Sequence, residues 1–173
     1  MGNAMLKNTG INIGKSLCDD GYKNLVEEIL TKSKTHSCKI YYPLDVVVSK
    51  ELDGNGTIKE INEVNNDEMI LDIGPKTIVS IKNIVDRSNT VLWNGPAGYF
   101  ENPNFSNGTK EILEIIAKKK SKGKIYAVAG GGETVAVINK FNKLDTFNFV
   151  STAGGAFLEY LEGKELPGIK ALN

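Results

Sequence analysis

Short apolar runs alternate along this chain with longer stretches whose apolar residues return every three or four positions. Runs at 39–49 (KIYYPLDVVVS), 69–73, 90–93, 125–129 and 147–150 are rich in branched and aromatic residues and are of strand length. Helical spacing recurs between and after them. Leu25, Val26, Ile29 and Leu30 mark one helix over 22–34, and Ile78, Ile81 and Val85 mark another that opens at Pro75. Ile112, Ile115 and Ile116 belong to a helix that Ser106 can cap and that runs to Lys122. Val135, Ile138 and Phe141, then Phe157, Leu158 and Leu161, mark the last two. Residues 1–7 read as the end of a helix closed by Gly10, which places the start of the chain inside a domain. Residues 14–20 form a loop, and Asp53-Gly54-Asn55-Gly56 turns a surface hairpin. Strands alternating with helices predict an α/β fold, three layers deep as α/β/α, with a mostly parallel sheet.

Three of the strands end in glycine-bearing turns: Asn94-Gly95-Pro96-Ala97-Gly98 after Trp93, Gly130-Gly131-Gly132 after Ala129, and Ser151-Thr152-Ala153-Gly154-Gly155 after Val150. In a parallel sheet these turns share the carboxyl edge, where open α/β folds bind ligands. Strand, glycines and helix start together aim free N–H groups and a positive helix end at one point, and glycine admits a ligand close to that backbone. The bound group should be anionic, and a phosphate fits. Neither the Lys-Ser/Thr ending of a P-loop nor G-x-G-x-x-G is present. Glu133, at the mouth of the central turn, can hold Mg²⁺ or simply favour its helix N-terminus. The Thr134 hydroxyl can reach a phosphate oxygen or cap its helix. Asn94 can bond a phosphate or form the turn, and Glu101 can accept from ribose hydroxyls or stand in solvent. Gly154 and Gly155 offer N–H groups at a second helix start, where charge on a transferring phosphoryl group would be met. Trp93 reads as strand core.

Charge and rare residues narrow the picture. The 173 residues carry 21 Lys+Arg and 21 Asp+Glu, so no overall field favours nucleic acid or an acidic membrane. KKKSKGK (118–124) complements a helix C-terminus. Arg87 is the single arginine, so the chain lacks a bidentate clamp for a phosphorylated acid. Cys18 and Cys38 make no metal or redox motif and suit a reduced, cytoplasmic protein; His36 reads as a loop residue. No apolar run is long enough to span a bilayer.

VLWNGPAGYFE (91–101), AVAGGGET (127–134) and VSTAGGAFLEYLEGKELPGI (150–169), with GINIGKSLCD (10–19), PLDVVV (43–48) and LDIGPKT (71–77), resemble phosphoglycerate kinase in order and spacing. The resemblance covers nearly the whole chain and implies a Rossmann-like domain. The implied reaction moves a phosphoryl group between 1,3-bisphosphoglycerate and Mg·ADP, giving 3-phosphoglycerate and ATP in glycolysis. It implies that Asn94 and Gly130, Gly131, Gly132, Glu133 and Thr134 meet the nucleotide phosphates and Mg²⁺, that Glu101 meets the ribose, and that Gly154 and Gly155 stabilise the transferring group.

Two local departures stand out: Glu133 where many members have Asp, and Ala153 where a third glycine is frequent. Length is the larger departure. Residues 1–173 correspond to part of the C-terminal, nucleotide-binding domain. The resemblance implies that the first strands of that domain are missing, and with them the N-terminal domain that holds the phosphoglycerate. The expectation is therefore a chain that binds ADP or ATP, is incomplete alone, and meets 3-phosphoglycerate or 1,3-bisphosphoglycerate only through the missing domain. The alternative is an inactive remnant or a nucleotide-binding interaction module. The first half of the fold, next to the missing strands, should either dock across the gap or stay poorly attached.

Overall fold

The computed structural model describes residues 2–172. Its elements in chain order are α1 (Gly2–Asn8), α2 (Lys23–Thr35), β1 (Asp45–Ser49), β2 (Thr57–Glu60), β3 (Met69–Ile73), α3 (Pro75–Arg87) and β4 (Thr90–Asn94). They continue with α4 (Asn107–Ser121), β5 (Tyr126–Gly130), α5 (Gly132–Lys140), β6 (Phe149–Ser151), α6 (Gly155–Leu161) and α7 (Pro167–Lys170).

The α/β fold expected from the alternating pattern is present, and its parallel part is a three-stranded sheet ordered β4-β5-β6. One face of this sheet is the main core. Trp93, Ala127 and Ala129 pack against Leu113 and Ile116 of α4 and Val137 and Ile138 of α5, with Phe147 stacked on Trp93 at 6.0 Å between ring centroids. Alanines at the centre of the middle strand let the two helices seat closely on it. Each fully buried Leu, Ile or Val contributes about 1.5–3 kcal/mol by leaving water.

The first three strands form a separate sheet ordered β2-β1-β3, antiparallel throughout. The seven residues 50–56 that join β1 to β2 are too few for a parallel crossover, so those two strands form a hairpin. Residues 61–68 then carry the chain past β1, and β3 pairs antiparallel on its other side, in the same direction as β2. The hairpin turn at 53–56 lies where the Asp-Gly-Asn-Gly sequence puts it. Val46, Val48 and Val64 form the small core of this sheet.

Two buried aspartates attach the antiparallel sheet to the helices around it. Asp45 of β1 accepts the N–H groups of Lys76 (2.9 Å) and Thr77 (2.8 Å), satisfying the first turn of α3. Asp72 of β3 accepts the Gly108 N–H at 2.8 Å and so caps α4 from outside its own chain segment. Ser106, expected to cap α4, does not: its hydroxyl donates to the Pro103 carbonyl instead. The Tyr99 N–H donates to the Leu71 carbonyl at 2.7 Å, a direct backbone tie between β3 and the segment after β4. The first half of the chain is thus docked.

Boundaries differ from the sequence reading where side chains take over backbone partners. The 39–49 strand is reduced to Asp45–Ser49 because Pro43 has no N–H and the N–H groups of Leu44 and Asp45 go to the Thr77 hydroxyl. Phe147 lies in the core ahead of β6, with its N–H on the Leu144 carbonyl. Gly10, at φ +83°, follows α1 as a helix-ending glycine.

Candidate functional site

Strand register builds the site. Asn94 of β4 pairs with Gly130 of β5, and Gly130 pairs with Ser151 of β6, so the last residues of all three parallel strands stand in one row. The glycine turns that follow therefore start side by side on the carboxyl edge.

The β4 and β5 turns are locked together. The Gly95 N–H donates to the Thr134 hydroxyl at 2.7 Å, and a Cβ on Gly131 would lie 2.5 Å from Asn94 Oδ1. Gly131 has φ +94°, which only glycine adopts without strain, and stands as the residue before α5. This conformation turns the chain from β5 directly into the first turn of α5. Thr134 is fully buried, and its hydroxyl bonds the neighbouring turn rather than capping its own helix.

The third turn folds back over the second. A Cβ on Gly130 would collide with the ring of Phe157 in α6, so absence of a side chain there lets α6 approach the end of β5. Gly154, at φ +51°, precedes α6, and Gly155 is the first residue of that helix.

Glu133 and Glu101 are the carboxylates of this region. Both are exposed, and neither has a hydrogen-bond or ion-pair partner among the described residues. Glu133 stands in the first turn of α5, where the helix field favours a negative charge. Glu101 is held elsewhere. Its neighbour Phe100 is buried, and the Phe100 carbonyl accepts the ammonium of Lys140 at 2.8 Å. Thr134 lies in the first turn of α5 and Lys140 is its last residue, so segment 95–100 spans that helix and carries Glu101 away from Glu133.

No group of three or more His, Cys, Asp or Glu able to hold a metal by protein ligands alone occurs among the described residues. The donor set fits Mg²⁺ of another kind: one free carboxylate, Glu133, beside a turn open to phosphates, since Mg²⁺ is commonly held by one or two carboxylates, phosphate oxygens and water.

Two further features escaped the sequence. A cavity of about 340 Å³ lies between α1, β1, β3 and residues 97–99, with Met5, Leu6, Leu71 and Tyr99 among its walls. Beneath the same turn lies Asp72, 2% exposed, whose carboxylate would collide with a Cβ on Gly98 or Gly108. Burial pushes its carboxyl up to about 6, against the opposing effect of the Gly108, Ile73 and Asn107 N–H groups. Asp45 behaves differently. Burial raises it, but the N–H groups of Lys76 and Thr77, the Thr77 hydroxyl and the Lys76 ammonium outweigh that and hold it below the usual carboxylate range. The signal for Asp72 was its place in LDIGP, at a strand end before a helix, yet nothing local tells that it caps a helix 35 residues further on.

The single arginine lies away from this edge. Arg87 donates through Nε to the Asn83 carbonyl at the end of α3, immediately before β4 begins. It thus lies at the amino edge, and the five residues of β4 put about 16 Å between the two edges. His36 ends α2 in a loop, exposed, its ring bonded to the Thr35 hydroxyl and the Lys32 carbonyl. No described helix is long and apolar enough to cross a membrane.

Comparison with known proteins agrees with the geometry. The phosphoglycerate kinase family model matches residues 1–164. A phosphoglycerate kinase from Zymomonas mobilis is 45% identical over 99% of this chain, and one from Xanthobacter autotrophicus is 44% identical over 99%. Among solved structures, phosphoglycerate kinase from Coxiella burnetii superposes with a TM-score of 0.91 at 41% identity over 99% of this chain, and that from Pyrococcus horikoshii with 0.73 at 27%. The chain spans 44% of the length of the Zymomonas, Xanthobacter and Coxiella proteins. A Gly131 that opens α5, the row Asn94–Gly130–Ser151 and a family match over nearly every residue converge on one conclusion: this chain belongs to the phosphoglycerate kinase family.

Proposed function

We propose that this chain supplies the nucleotide side of phosphoglycerate kinase chemistry, the transfer of a phosphoryl group between 1,3-bisphosphoglycerate and Mg·ADP to give 3-phosphoglycerate and ATP in cytoplasmic glycolysis. The observation that carries this reading is the row of three turns on one edge, with the positive end of α5 and the unpaired Glu133 carboxylate at its centre. The N–H groups of Gly131, Gly132 and Glu133 are the first donors of α5 and bind phosphate oxygens. Asn94, fixed against Gly131, orients a second oxygen from the neighbouring turn. Glu133 holds Mg²⁺, which when bound neutralises charge on the nucleotide phosphates. Thr134 fixes the distance between the two turns. Glu101, held away from Glu133, accepts from the ribose, and the cavity beside 97–99 takes the base. Gly154 and Gly155 face the transferring group from the third turn.

The substrate acid is held by another part of the complete enzyme. Arg87, the single arginine, is at the amino edge, so the carboxyl edge of this chain has no guanidinium to orient a three-carbon phosphorylated acid. That same fact favours a second reading, a nucleotide-binding module without turnover of its own. Titration of the chain with Mg·ADP, followed by NMR, tests the binding part common to both. Shifts should begin at residues 130–134 and saturate with Kd of about 0.1–10 mM. Saturating shifts centred outside the three turns would overturn the assignment.

A further inference from the structure

Three asparagines of this chain are followed by glycine, at 55–56, 94–95 and 107–108. Asparagine is chemically labile, and most so where glycine leaves the next peptide nitrogen open to its side chain. That nitrogen can attack the amide carbon Cγ once its proton is lost, so a glycine N–H held in a hydrogen bond protects the pair. Two of the pairs are protected. The Gly95 N–H donates to the Thr134 hydroxyl at 2.7 Å, and the Gly108 N–H donates to Asp72 at 2.8 Å within the first turn of α4. The third pair is not. The Ile61 N–H donates to the Leu44 carbonyl, and because bonded and non-bonded pairs alternate, the hydrogen-bonded pairs of the β1–β2 ladder are 46/59 and 48/57. Gly56 comes one place later, so its N–H points away from β1, to the outer side of β2. Among the described residues neither that N–H nor any atom of Asn55 makes a hydrogen bond. Asn55 is exposed and borders an open depression of about 320 Å³ with Lys50, Glu51 and Glu68, so water reaches it. Packing keeps glycine in place beside it, since a Cβ on Gly56 would lie 2.5 Å from Val47 Cγ1.

We propose that Asn55 is a site of spontaneous modification, converting to aspartate and isoaspartate in the folded chain while Asn94 and Asn107 stay intact. Hydroxide removes the Gly56 amide proton, and the freed nitrogen bonds to Asn55 Cγ. The Cγ–Nδ2 bond breaks, the nitrogen leaves as ammonia with a proton from water, and hydroxide is regenerated. Water then opens the resulting succinimide ring. Opening at Cγ gives aspartate, and opening at the backbone carbonyl gives isoaspartate; nothing is oxidised or reduced. Either product puts a new negative charge beside Glu51 and Glu68, and isoaspartate lengthens the backbone by one methylene. The loop has little room for it. Gly56 packs on Val47 and Phe105, and the Leu52 and Gly54 carbonyls accept the side-chain amides of Asn102 and Asn104 at 2.8 and 3.1 Å. Modification therefore works against the ties between this hairpin and residues 102–105. The Thr134–Gly95 bond gains a second result, since it keeps Asn94 an uncharged amide where a carboxylate would repel phosphate. That benefit rests on the nucleotide role proposed for this edge, whereas the reactivity of Asn55 does not depend on it.

Ageing of the purified chain in warm, mildly alkaline buffer, followed by mass spectrometry of its tryptic peptides, is the test. Cleavage places Asn55 in peptide 51–59 and the other two asparagines in peptide 88–110, where fragmentation separates Asn94 from Asn107. The expected result is loss of the amide at Asn55 at least about tenfold faster than at Asn94 or Asn107. In urea, where no fold holds any glycine N–H, the three sites should react at similar rates, with Asn55 little changed from the folded chain. Ion exchange of the aged, folded chain should show an acidic variant that Asn55→Gln lacks, because the longer side chain would have to close a larger ring. Folded chain in which Asn94 or Asn107 reacts as fast as Asn55 overturns the proposal. So does an Asn55 that stays intact in the folded chain over a time in which all three convert in urea, or an acidic variant that persists in Asn55→Gln.

Discussion

The hydroxyl of Thr134 accepts the N–H of Gly95 at 2.7 Å, and this one bond couples the turn after β4 to the first turn of α5. Neither residue is exposed enough for water to take the place of its partner easily, Thr134 being fully buried. Thr134→Val keeps the shape but strands the Gly95 N–H. We expect a loss of about 1–3 kcal/mol in urea unfolding and a weaker response to Mg·ADP. Thr134→Ser should retain most of both.

Gly131 and Gly132 are neighbours with opposite tolerances. At Gly131, alanine meets positive φ and the Asn94 side chain together, and should destabilise the chain by about 1–3 kcal/mol. At Gly132 a Cβ meets nothing within 4 Å and φ is ordinary, so alanine should leave the midpoint of unfolding unchanged or raise it slightly. Any effect of Gly132→Ala would then appear in Mg·ADP titration, where the added methyl stands between phosphate and backbone. Equal destabilisation by the two substitutions would contradict the geometry.

Asp72 gives stability a pH dependence of unusual sign for a carboxylate. Its folded pKa is raised from 3.8 to about 6, so the folded state binds the proton more tightly than the unfolded chain. The associated stability is fully present below the unfolded value and is lost as pH rises through about 6. Asp72→Asn cannot titrate, and its amide oxygen can still accept the Gly108 N–H. Relative to the parent, the variant should therefore gain stability between pH 4 and pH 7, by up to about 3 kcal/mol. Denaturant unfolding of both proteins across that range measures the difference, and a flat difference curve would show that burial does not control this group. Asp45, held low, has the opposite sign and cancels in the comparison.

Catalysis should demand more than this chain offers. Positioning two reactants in line can account for about 7–11 kcal/mol of a barrier, and the carboxyl edge has turns for one reactant only. ATP formation from 1,3-bisphosphoglycerate by the chain alone should therefore be negligible. Supplying the remaining portion of a relative, fused or separate, should restore Mg²⁺-dependent turnover, and Glu133→Ala should then reduce that turnover and weaken its dependence on Mg²⁺. Robust turnover by the chain alone, lost in Glu133→Ala, would refute the division of labour proposed above.

Much of the fold was legible because local chemistry set it. Pro75, the glycines at 130–132 and the apolar spacing of Ile112, Ile115 and Ile116 each act within a few residues, and the helices and the three parallel strands are where those signals put them, to within one or two residues. The hairpin turn at 53–56 was legible in the same way, but the return of β3 to the other side of β1 was not, because no local signal marks a strand that pairs across an intervening one. Ser106 was misread for a different reason. A serine before a helix is a good local cap, but a carboxylate delivered from β3 took its place.

What the sequence determined by itself was the inventory of the site: which turns are glycine-bearing, which carboxylates flank them, and that one arginine is available. Tertiary structure alone decided what those residues do for one another. Strand register set Asn94, Gly130 and Ser151 in a row, the seating of α5 turned the Thr134 hydroxyl inward onto Gly95, and Lys140 drew Phe100 toward the far end of that helix. The reason is the reach of the interactions. Turn and helix signals act over a few residues, whereas Gly95 and Thr134 are 39 residues apart and Asp72 and Gly108 are 36 apart, and hydrogen bonds over such separations exist only once the sheets have docked.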